Sequence, residues 1–289
     1  MGLAFIRAAL MLLLLQACED DVKIIKPIEV SDSNYTSTIP EPDASVGEVE
    51  WGARGFVIDY PDALRAPLTM SDNAGGYYYA MLTELSGRVI VRVADDFQSI
   101  DDSQEISTPS AAGVAFDPNG FVWVSDFSVS NTITITEYTE SGTPTGSSFT
   151  VSSDGSIDVP IAWVDGVIAV YKGRTDNTIE EYTTDGDLLN TFLAPEFSSI
   201  GDFSYDGENY ILMSHQLVAG DTYLPRIYKL NRVGDVIEEL NYTEYFRNTV
   251  NVSALGLDNG LIRTFALPQG EGDFNVYTFH SVELSPYDT

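Results

Sequence analysis

From residue 66 onward the chain alternates apolar and polar residues in short runs, and these runs stop at clusters of Asp, Asn and Gly. The clearest stretch is Gly113-Val114-Ala115-Phe116-Asp117-Pro118-Asn119-Gly120-Phe121-Val122-Trp123-Val124. Its period of two predicts a strand, a tight turn and a second strand. Four other stretches follow the same plan. They run from Thr69 through Asp72-Asn73 to Tyr77-Tyr78-Tyr79, from Ala162 through Asp165-Gly166 to Val170, from Phe203 through Asp206-Gly207 to Leu212, and from Leu255 through Asp258-Asn259-Gly260 to Arg263. A third strand is predicted behind each, over 89–93, 133–138, 178–182, 226–230 and 275–279. In the middle copies a polar turn follows, Thr183-Thr184-Asp185-Gly186 or Asn231-Arg232-Val233-Gly234, and then a fourth strand over 187–192 or 235–240.

The turn aspartates at 72, 117, 165, 206 and 258 recur every 41 to 52 residues. Four antiparallel strands at that period, with no amphipathic helix past residue 20, predict an all-β fold, a β-propeller of four-stranded blades. Five units are clear. An extra strand at Gly55–Tyr60 completes the last blade or belongs to a sixth. The propeller is assigned to residues 51–289.

The first fifty residues read differently. Arg7 precedes an apolar run, Ala8–Leu15, too short to span a bilayer, and then Gln16-Ala17-Cys18. This is the layout of an export signal over 1–17. Its end, Leu15-Gln16-Ala17-Cys18, resembles the lipobox of bacterial lipoproteins. The resemblance implies cleavage before Cys18, a diacylglyceryl thioether on its sulfur and usually an acylated amino group; two or three acyl chains make a durable anchor. Cys18 is the single cysteine of the chain. Residues 18–50 are rich in acids, Ser, Thr and Pro and read as a flexible acidic tether. Glu19, Asp20 and Asp21 resemble surface-export signals of certain bacteria. The expected place is the cell envelope, with the outer membrane favoured.

The net charge of −30 argues against nucleic acid, and against docking on anionic lipid by charge. With one cysteine, disulfides within the chain and Cys-based zinc sites are excluded. At the turns, Asp is expected to accept local backbone hydrogen bonds rather than bind metal.

The phrase from Gly113 to Val124, with the third strand behind it, resembles NHL-type and gluconolactonase-like propellers over about residues 66–284. That resemblance implies a divalent cation in the channel mouth, held by acids and asparagines. Asp158, Asp202, Asn248 and Asn251, just ahead of predicted inner strands, are the positions that carry over. The matching glutamate is not identifiable, and polar lining of a water-filled channel is the simpler expectation, so no metal is assigned. His215 and His280 sit in no metal-ligand or nucleophile spacing, and no catalytic residue or cofactor is identified beyond acyl groups on Cys18.

Trp51, Trp123, Trp163 and Tyr77-Tyr78-Tyr79 are the candidates for stacking on sugars. For Trp123 and Trp163, packing between blades is the better expectation, whereas the tyrosine run is expected to leave one face exposed. The function expected is a binding or scaffold propeller for an envelope protein or glycan. The alternative is a lactonase-like or glycosidase-like hydrolase at the channel mouth. A lectin is disfavoured because the blades share patterns and not sequences.

Overall fold

The alternating runs form strands, and among the described residues there is no helix. A computed structural model describes residues 69–280 except 85–86, 96–98, 130, 154–158, 174–175, 195–198, 219–221, 242–248 and 269–274. All lie in the second of the chain's two units, Ser37–Thr289. Cys18, the tether, Trp51, Gly55–Tyr60, Asp158 and Asn248 fall outside the described residues.

Five antiparallel sheets follow one another along the chain. The first joins β1 (Tyr77–Glu84), β2 (Gly87–Ala94) and β3 (Ile100–Ser107). Residues 69–71 add its inner edge, where Ser71 N–H donates to the Tyr79 carbonyl at 2.8 Å and Met81 N–H to that of Thr69 at 3.0 Å. The second holds β4 (Ala111–Asp117), β5 (Phe121–Val129), β6 (Thr132–Thr139) and β7 (Pro144–Ser152). The third holds β8 (Ile161–Val164), β9 (Val167–Tyr171), β10 (Thr178–Tyr182) and β11 (Leu188–Leu193). The fourth holds β12 (Ser199–Tyr205), β13 (Tyr210–Val218), β14 (Thr222–Leu230) and β15 (Val236–Asn241). The fifth holds β16 (Thr249–Asp258), β17 (Leu261–Pro268) and β18 (Asn275–His280).

Every sheet is a meander, and the first strands meet in sequence: β4 touches β8, β8 touches β12, and β12 touches β16. The circle closes where Ala254 and Phe265 of the fifth sheet pack with Met70, Tyr78 and Val91 of the first. The fold is an all-β propeller, and the five sheets are its described blades.

The core lies between blades, so each sheet buries both faces. Tyr79, Ile90, Val114 and Val122 join blades 1 and 2. Trp123, Phe149, Ile161 and Ile168 join blades 2 and 3, with Trp163 packed against them. Tyr171, Phe192, Phe203 and Tyr210 join blades 3 and 4. Each large apolar side chain so buried is worth about 1.5–3 kcal/mol. This sandwiching corrects the expectation for the tyrosine run. Tyr78 and Tyr79 do point to opposite faces, but one enters the seam with blade 5 and the other the seam with blade 2, and both are fully buried.

A second device ties neighbours together. In blades 2, 3 and 4 the turn from third to fourth strand has one form, with Gly142, Gly186 and Gly234 donating to the carbonyls of Thr139, Thr183 and Asn231. The side-chain oxygens of those three residues accept from the N–H four positions on. Each glycine has a positive φ and sits against the outer strand of the preceding blade. A Cβ on Gly142 would lie 2.9 Å from the Glu105 carbonyl oxygen, on Gly186 2.6 Å from Phe149 Cβ, and on Gly234 2.5 Å from the Leu193 carbonyl oxygen.

The turn aspartates divide. Asp117 and Asp206 accept local backbone N–H groups, from Asn119 at 2.7 Å and from Asn209 at 2.7 Å. In blade 1 that place belongs to Asn73, which accepts from Gly76 N–H at 2.8 Å. Asp72 turns the other way, toward the axis.

Candidate functional site

Asp202 occupies the middle of the ring. It lies inside β12, not ahead of it, beyond a register shift between Ile200 and Asp202 that re-aims the strand. Its side chain is fully buried. Oδ2 accepts Met70 N–H of blade 1 at 2.9 Å and Leu255 N–H of blade 5 at 2.8 Å, and Oδ1 accepts Phe203 N–H at 3.0 Å. Leu255 follows a bulge of its own, where buried Ala254 takes φ 58° and frees the N–H from the ladder. One carboxylate thus joins three blades. Burial pushes its carboxyl well above the ordinary range against the pull of those donors, and neighbouring Asp72 pushes the same way.

Asp72 accepts the Ser204 hydroxyl of blade 4 and, at 2.9 Å, Leu257 N–H of blade 5. Burial raises its carboxyl to about 6, the two donors opposing the rise. The ordinary value is 3.8, so the folded state takes up a proton between about pH 4 and 6 that the unfolded chain does not. Stability therefore falls as pH rises through that window. Asp72→Asn keeps an acceptor for both donors and removes the titration. The variant is expected to be more stable than the parent by on the order of 1–2 kcal/mol at pH 7.5, with no difference below pH 4. Urea unfolding at the two pH values checks this, and an equal difference at both would contradict it.

These carboxylates leave little room on the axis. Ser71, Asp72, Ala115, Trp163, Phe203 and Ser204 surround a void of about 10 Å³. Beside it, on the face of the first turns, an open cleft of about 450 Å³ is lined by Asp72, Asn73, Tyr205, Asp206, Leu257 and Asp258. Asp206 is paired with Lys229 Nζ at 3.1 Å. Among the described residues no three of His, Cys, Asp or Glu converge in a way that could hold a metal ion. Asn251 lies in β16, in register with Leu267. His215 lies in β13 opposite Ser199, and His280 in β18 opposite Leu261.

A third polar group lies between blades 3 and 4. Buried Glu181 accepts Arg232 through Nε at 3.1 Å and Nη2 at 2.9 Å, and the Tyr210 hydroxyl at 2.6 Å. Burial would raise the Glu181 carboxyl, but Arg232 and Tyr210 outweigh it and hold it below the usual range. Arg232 also reaches Asp165 at 3.4 Å, which accepts the Tyr205 hydroxyl at 3.0 Å. Arg232 belongs to the turn before β15, so this network presses that turn onto blade 3. Its backbone oxygen accepts Asn190 Nδ2 of β11 at 3.5 Å.

Next to that turn, most of the exposed large apolar side chains among the described residues occur. Leu188, Leu189 and Leu193 of β11, Val233 of the turn, and Val236 and Ile237 of β15 are 46–70% exposed. The equivalent strands of blades 1 and 2 are polar. In β3 Asp101, Glu105 and Ser107 are exposed, and in β7 the exposed residues include Pro144, Thr145 and Ser147. In the sequence, residues 187–192 read as a fourth strand, and the position of the strand alone does not show that its leucines are left uncovered. The only signal was the contrast with the polar fourth strand of blade 2.

No family model matches the chain, and no curated protein does. Among solved structures, a Bacteroides caccae protein of unknown function is similar at 14% identity and a TM-score of 0.45, covering 74% of this chain and 78% of its own. A structure of the nidogen/laminin complex is similar at 10% identity and a TM-score of 0.41, covering 60% and 62%. The propeller assignment rests on the sheets of the chain itself.

Proposed function

We propose that this chain is a binding or scaffold module of the bacterial envelope, held to the outer membrane by lipid on Cys18 and spaced from it by residues 18–50. Its partner is another envelope protein, and it docks on the outer strands of blades 3 and 4. The observation that carries this reading is the set of exposed apolar residues in β11, β15 and the turn before β15, in outer strands that are polar in blades 1 and 2. Soluble domains seldom expose neighbouring large apolar side chains without a use for them. What weighs against a lactonase-like or glycosidase-like enzyme is the one fully buried carboxylate at the centre, Asp202, which is engaged by backbone N–H groups.

The reading is tested by placing a photo-crosslinking residue at Leu189 in cells. One envelope protein is expected in the crosslinked product, identified by mass, and Leu193→Glu is expected to abolish it. The same product from a crosslinker at exposed Thr145 on blade 2 would count against a specific surface.

A further inference from the structure

We infer that blade 3 takes its partner by strand addition, and that the partner supplies an extended segment in which apolar residues alternate with Lys or Arg. The inference rests on the binding role just proposed and names the chemistry of the partner.

β11 ends its sheet, with β10 on one side and no described strand on the other. Its six residues contain neither Lys nor Pro nor a charge to blunt that edge, and its one irregularity is a register shift at the start, where Leu188 pairs with Tyr182 and Asn190 with Glu181. Phe192 packs on Tyr210 with ring centroids 5.3 Å apart, and Asn190 reaches the Arg232 carbonyl, so past the register shift these two positions face blade 4. By the period of two, Thr191 and Leu193 share the other face, and both are exposed, as is Leu189 at the register shift. An incoming strand would meet a backbone edge beside which no described strand lies, with two exposed leucines four residues apart along it. Main-chain hydrogen bonds would give affinity and the alternate side chains register.

Charge selects among such strands. Exposed Asp185 and Asp187 precede β11, and exposed Asp235 follows Gly234, which abuts Leu193. The nearest arginine, Arg232, is engaged by Glu181 and Asp165. The chain as a whole carries −30, so a second copy or an acidic segment is repelled, and a basic one is drawn in.

The test uses the full chain and three synthetic probes, with binding read by fluorescence anisotropy. The first is an alternating Lys-Val heptapeptide, the second its Glu-Val counterpart, and the third the Lys-Val peptide with alternate backbone nitrogens methylated. The Lys-Val peptide is expected to bind, and to protect amides of β11 from hydrogen exchange. At least about tenfold weaker binding is expected for both other peptides, and for Lys-Val on the double variant Leu189→Lys, Leu193→Lys. Equal binding of the methylated peptide would overturn strand addition, leaving charge attraction alone. A concentration-dependent dimer that the double variant abolishes would overturn it in favour of a second copy. If Lys-Val does not bind while the crosslink at Leu189 persists, the strand chemistry falls and the binding role stands. If both fail, the binding role falls as well.

Discussion

Replacing Asp202 with alanine is expected to cost roughly 3–5 kcal/mol of stability, the largest loss of any single polar substitution on the axis. The carboxylate accepts Met70 N–H, Leu255 N–H and Phe203 N–H at the centre of the ring. A buried N–H left without an acceptor costs about 1–3 kcal/mol. Three such groups set an upper bound, and relief from burying a carboxylate lowers it. Asp202→Asn should fall between parent and alanine, since its amide keeps one acceptor but turns two donors on a site built from donors. Denaturant unfolding measures the loss. Hydrogen exchange supplies a sharper reading, because the amides of Met70 and Leu255 should lose protection first. A loss under about 1 kcal/mol, with those amides still protected, would show that water or a shifted neighbour replaces the carboxylate.

Gly234→Ala is expected to cost more than about 3 kcal/mol, against about 1 kcal/mol for Gly207→Ala. The backbone term is shared, since φ is 91° at Gly234 and 94° at Gly207. The surroundings differ. Nothing lies within 4 Å of a Cβ at Gly207, whereas at Gly234 it would sit 2.5 Å from the Leu193 carbonyl oxygen. That atom is backbone of β11 and cannot swing aside, so blade 4 must back away from blade 3. The same retreat would strain the hydrogen bonds of Arg232 and Tyr210 to Glu181. Thermal unfolding of the two variants side by side isolates the docking component. Equal losses would mean that blades 3 and 4 do not depend on this approach.

The parts of the fold legible in the sequence were those decided within a few residues. Alternation marks β6, Asp117-Pro118-Asn119-Gly120 marks the turn before β5, and Thr183 to Gly186 marks the turn before β11, so strand order and blade period could be read directly. The parts that stayed hidden are decided between blades. Nothing near Asp202 shows that its acceptors meet N–H groups 132 and 53 residues away, or that bulges beside Ile200 and Ala254 aim them. Asp72 looked like its turn counterparts, and only the proximity of Ser204 and Leu257 separates it from Asp117. The tyrosine run misled for a related reason. Alternation tells which residues oppose each other across a sheet, but not that both sides are covered.

The axial carboxylate also sets a timetable. A chain delivered from its amino end presents Met70 long before Asp202, and Asp202 before Leu255. Each blade can fold on local contacts as it emerges, but the inner edge of the first must wait for the fourth, and both wait for the fifth. Closure of the ring is therefore a late event with a high loop-closure cost, and a nascent chain halted short of residue 255 should remain open at its centre and accessible to proteases there.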